Sequence, residues 1–119
     1  MMGNAGVNEI QITIEQNQEH IDMGAALERL LVNPDFERVV MDGFMRKEAH
    51  RLAILTGDPS KESAEDQAKI LRDMNSIGAL YAHFRALRNQ ANIAKKTLAE
   101  HLELEAELAR EEAAGDLEV

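Results

Sequence analysis

The chain has no cysteine and no tryptophan. Lack of cysteine excludes disulfides, thiolate zinc sites, iron–sulfur clusters and a cysteine nucleophile together, and it fits a reducing compartment. Proline is nearly missing as well. The two present, Pro34 and Pro59, sit where one helix should stop and the next begin. Phe36, Phe44, Tyr81 and Phe84 are the whole aromatic content. A core must therefore be built from Leu, Ile, Val, Ala and Met, the usual filling of a helix bundle. No apolar run approaches the roughly 20 residues that cross a bilayer. Met1 to Val7 lack the basic and apolar regions of a signal peptide. A cytosolic or particle-bound protein with no membrane partner is the expectation.

With 119 residues, one domain is the default. A hydrophobic share of 45% argues against wholesale disorder. Net charge is −9, and its placement matters more than its size. Of 22 acids and 13 bases, eight acids and one base, Arg110, fall within residues 100–119. The body is nearly neutral and the tail is acidic. Bulk nucleic-acid binding is disfavoured, because that affinity comes largely from neutralising phosphates with Lys and Arg.

Residues 1–8 are polar and carry glycine. Ile10, Ile12 and Ile14 then alternate with Glu9, Gln11 and Thr13, a period-two pattern that suggests a short extended arm. Such an arm could join a neighbour's sheet edge, lie against the helices, or be a misread helix start. Thr13 and Gln16 match a capping box that starts a first helix near Ile14. Asn33-Pro34-Asp35 ends that helix and begins the next: Asn33 is a good N-cap, Pro34 suits the first helical position and Asp35 complements the dipole. A second helix follows to about Leu55. Thr56-Gly57-Asp58-Pro59 is a stop signal in which Gly57 can take a left-handed cap. A third helix starts after Ser60 or Ser63. It meets no proline up to Ala114, so it would extend for roughly 70 Å if continuous. That exceeds what two shorter helices cover, and the distal part is expected to project, with fraying at the acidic end.

The expected fold is all-α. It comprises an N-terminal arm over 1–13, a helical domain over 14–98 and an acidic helical or frayed tail over 99–119. Within it, a helical hairpin is joined to one long C-terminal helix.

Along that helix Ile77, Leu80, Phe84, Leu87, Ala91, Ala94 and Leu98 follow a three-four spacing, the seam of a coiled coil. Its first half should pack on the first two helices. Its second half is the candidate partner or oligomer interface: Phe84, Leu87, Arg88, Ala91, Ala94, Leu98, Leu102 and Leu108. Ile10, Ile12 and Ile14 form a second candidate contact. Residues 74–99 hold no acid but include Arg85, Arg88, Lys95 and Lys96. Charges flanking a seam set register and partner choice.

Nothing in the sequence builds a recognisable active site. His20, His50, His83 and His101 form no metal-binding helical pair. Gly3 and Gly6 lack the lysine and setting of a phosphate loop, and no nucleophile elbow is present. His50, among Arg46, Lys47 and Arg51, could join a small anion site. No cofactor is expected, and the protein is read as not an enzyme.

The segment ALERLLVNPDFERVVMDGFMRKEAHRLAIL, residues 26–55, followed by a GDP turn and a helix reaching SIGALYAHFRAL, resembles short acidic helical proteins of tailed bacteriophages. These are encoded among structural and morphogenesis genes and are mostly uncharacterised. The likeness covers about half the chain, from Ala26 to Phe84, and rests on Leu27, Leu30, Leu31, Asn33, Phe36, Phe44, Leu52 and Ile77-Gly78-Ala79-Leu80. It implies a virion or host-cytoplasm location and a structural or assembly role. The implied partners are proteins: further copies of the chain, or a capsid, portal or tail component. It implies no catalytic residues. The alternative drawn from the acidic tail is inhibition of a host nucleic-acid enzyme by phosphate mimicry.

Overall fold

A computed structural model describes the backbone of residues 2–117 and the side chains of residues 13–115. Helix α1 runs Met2–Leu31. A helical run over 34–56 follows, made of α2 (Pro34–Phe36), a π-wound segment Glu37–Glu48 and α3 (Ala49–Thr56). A 3₁₀ turn at Pro59–Lys61 leads to α4, Ala64–Leu117. The expected all-α class holds, with a hairpin and a long C-terminal helix. The last helix continues through the acidic segment rather than ending before it.

The extended arm is corrected: residues 10–14 are helical, inside α1. The physical reason is local. A strand with no partner leaves its backbone groups unpaired, whereas a helix pairs them within the segment. Ile10 and Ile14 are also four apart, so three alternating residues fit a helical face as well as a strand face. Thr13 consequently lies in the helix interior and does not cap it. The side chains of Ile10 and Ile12 fall outside the described residues.

The next boundary forms as its residues dictate. Asn33 is extended (φ −73°, ψ 123°), and its Oδ1 accepts from the Asp35 N–H at 2.9 Å and the Phe36 N–H at 3.1 Å. Two of the orphan donors of the helix start are thereby satisfied. The second stop works differently from expectation. Gly57 has φ −96° and ψ 3°, so it takes no left-handed cap. Asp58 instead turns extended and accepts from the Ser60 N–H and hydroxyl, both at 2.9 Å, with Pro59 starting the 3₁₀ turn. Ser63 Oγ accepts from the Asp66 N–H at 3.1 Å and caps α4.

Two compact units divide the chain: residues 26–87, and residues 1–25 with 88–119. In the 26–87 unit the core is Met45 and Leu52 from the 34–56 run against Ile70 and Ile77 of α4. Val40, Met41, Ala49, Leu55, Leu80 and Phe84 close around it. Phe36 and Phe84 meet edge to face, ring centroids 6.0 Å apart, which adds to their burial energy.

Gly43 lies inside the π-wound segment. A Cβ there would stand 3.0 Å from the Arg38 carbonyl oxygen, five residues back, which the wider turn brings close. Alanine normally stabilises a helix interior by about 1 kcal/mol relative to glycine. Gly43→Ala is expected to forfeit that gain and lower the melting temperature. An unchanged or higher melting temperature would show that the π winding relaxes freely to α.

Candidate interaction surfaces

In the unit formed by 1–25 and 88–119, two complementary series appear. On α1, Ile14, Asn17 and Ile21 are half-buried and Gly24 is buried. On α4, Ala91 and Ala94 are 3% and 2% exposed, and Leu98 and His101 are half-buried. Both series run three, four, three. The buried positions are small, which permits a short interhelical distance. Asn17 and His101 are polar members of the seam, and such residues fix register at some cost in stability. His101 Nε2 is buried and lacks a well-directed hydrogen bond, its nearest acid being Glu105 Oε1 at 3.3 Å.

These positions correct the expected interface. Ala91 and Ala94 are covered within the chain, so they are not open to a partner. The reason is that the α1 positions of the same unit, Ile14 to Gly24, present the complementary series. Phe84 and Leu87 are half-buried in the other unit, Phe84 against its core. Arg88 is exposed. Leu102 and Leu108 are 56% and 54% exposed, and Ile93 and Leu104 are exposed as well. Of the expected interface, Leu102 and Leu108 are thus the apolar members that face solvent.

A further surface in the 26–87 unit was missed by the seam reading. Leu71, Met74 and Tyr81 of α4 are 58%, 41% and 54% exposed. With Gly78 they follow a three-four-three spacing, one helical face. A Cβ on Gly78 would meet nothing within 4 Å. Beside this row lies an open groove lined by Thr56, Gln67, Ala68, Ile70, Leu71 and Met74. The signal was present in the sequence as a second series offset by one residue from Ile70, Ile77 and Leu80. Gly78 and Tyr81 hid it, because neither reads as a core residue.

The suspected anion site dissolves into ion pairs. Arg46 reaches Glu37 at 3.2 Å and Asp42 at 3.4 Å, Lys47 reaches Asp42 at 3.2 Å, and Arg51 is bonded to Glu48 through two nitrogens. These pairs are solvent-exposed and contribute little each. The Arg51 guanidinium hydrogen bond lowers the Glu48 carboxyl below its ordinary value, and the Ser60 donors lower Asp58. A lowered folded-state value contributes stability above the unfolded value, lost as pH falls through the folded one. The melting-temperature advantage of the wild type over a Glu48→Gln/Asp58→Asn double variant should therefore narrow below about pH 4, the ordinary carboxylate range. An advantage that widened on acidification would contradict this assignment.

Among the described residues, no group of three or more His, Cys, Asp or Glu is placed to hold a metal ion, and no helix is long and apolar enough to cross a membrane. Compared with family models, curated proteins and solved structures, the chain matches none of them.

Proposed function

We propose that this is a non-enzymatic bacteriophage structural or assembly protein, resident in the virion or the host cytoplasm, acting through helix-mediated contacts with other proteins. The observation that carries the reading is large apolar side chains left in solvent on well-formed helices: the Leu71, Met74 and Tyr81 row in one unit, and Ile93, Leu102, Leu104 and Leu108, spread around α4, in the other. Covering them contributes about 25 cal/mol per Å² of apolar surface removed from water, and a contiguous apolar row marks an interaction site. The phage origin rests on the resemblance over residues 26–84. Full-length tagged protein, expressed during infection, should co-purify with capsid, portal or tail proteins, or self-associate by light scattering. A strict monomer that captures no virion protein would remove the proposal.

A second reading has its own observation. Glu100, Glu103, Glu105, Glu107, Glu111 and Glu112 are all exposed on helical α4, a carboxylate track that can imitate phosphates. Replacing the six glutamates by glutamine should abolish inhibition of a nucleic-acid enzyme and keep helicity. Inhibition that survives this change would exclude mimicry.

A further inference from the structure

We propose that the Leu71–Met74–Gly78–Tyr81 face of α4 docks on the same face of a second copy of this chain, with the two helices antiparallel. The inference rests on the assembly reading above and specifies its partner and register.

The four positions are symmetric about residue 76. A two-fold axis there sets Leu71 against Tyr81 of the second copy, and Met74 against its Gly78. Large meets small at the centre. Methionine is a flexible knob that fills irregular gaps, and the space over Gly78 is open. At the flanks, the Tyr81 ring of the second copy arrives beside Leu71, where the groove lined by Thr56, Gln67, Ala68 and Ile70 is available to receive it. The contact is isologous, as a two-fold dimer requires.

Charge bears on the orientation through Arg85. The first part of α4 and its approach carry Glu62, Glu65, Asp66 and Asp73 against Lys61, Lys69 and Arg72, a net of only −1, and residues 74–87 contain no acid. In antiparallel pairing Arg85 lies over the turn holding Asp66 and Gln67. Parallel pairing would oppose Arg85 to Arg85 and stack Gly78 on Gly78, leaving a void at the centre. Void and like-charge contact both disfavour it. The stripe is shorter than a standard interface, which buries roughly 800 Å² per partner, so association is concentration-dependent.

A chain without cysteine allows a direct register test on the full-length protein. Leu71→Cys and Tyr81→Cys chains are prepared separately, then oxidised alone and mixed. The mixture should give disulfide-linked heterodimers. Either chain alone should not, because ten helical residues separate the two positions by roughly 15 Å, and a disulfide needs Cα atoms within about 7 Å. Gly78→Leu should weaken wild-type self-association at least tenfold in sedimentation equilibrium, with the helical circular dichroism signal kept. Gly78→Ala provides a second handle. In dilute solution it should raise the melting temperature, since alanine favours helix, while weakening association. A wild type that stays monomeric up to its solubility limit overturns the inference. So does Leu71→Cys linking to itself as readily as to Tyr81→Cys. Either result leaves the assembly reading standing if the chain still co-purifies with virion proteins; a monomer that captures none overturns both.

Discussion

Leu52→Ala is expected to cost the 26–87 unit about 3 kcal/mol, within the range found for buried leucine truncations. Leu52 is 1% exposed, the most buried large side chain among the described residues. It clusters with Met45, Ile70 and Ile77, so it joins the 34–56 run to α4. The loss combines the transfer energy of the missing atoms with the cavity they leave. Small domains hold only some 5–15 kcal/mol in total. At about 4–8 °C per kcal/mol for a unit of this size, the melting temperature should fall by more than about 10 °C. Leu55→Ala, at the half-buried margin of the same cluster, should cost clearly less. Equal losses at the two positions would mean that the core is not centred on Leu52.

The second large effect is expected at Ala94. Ala94→Glu places a carboxylate at a position 2% exposed. An uncompensated buried charge costs several kcal/mol. The two parts of the 1–25 and 88–119 unit should separate. Hydrogen exchange would then speed up over residues 13–25, while the core around Leu52 stays protected. If Ala94 instead belonged to a contact between chains, the variant would dissociate an oligomer and leave protection over 13–25 unchanged. The two outcomes differ in kind, and each identifies what covers Ala94.

The features legible in the sequence are those that residues decide locally. Asn33, Pro34 and Asp35 lie within one turn of the helix they start, so capping chemistry alone places them. The Ile77–Leu98 seam is visible because three-four spacing persists over three heptads. The partner of that seam was not legible. Three-four spacing marks a face but does not name what covers it, and Ala91 and Ala94 are covered within the unit that also holds residues 14–24 of α1. The Gly57 cap failed for a related reason. Glycine permits a left-handed residue but does not require one, and Asp58 with Pro59 ended the helix first. The π winding of Glu37–Glu48 has little local signature beyond Gly43.

Two parallel series on α4 face different neighbours. Ile77, Leu80, Phe84 and Leu87 look inward, and Gly78 and Tyr81, one residue on, look outward. This offset constrains how the gene can change. Inserting or deleting a single codon between Ile70 and Ile77 would turn the rest of the helix by about 100°, exchanging the roles of the inward and outward series. Seven-residue changes nearly preserve both. Length variation in this stretch among natural variants should therefore come in heptads, and a one-residue change should be as damaging as a core substitution although it alters no core residue.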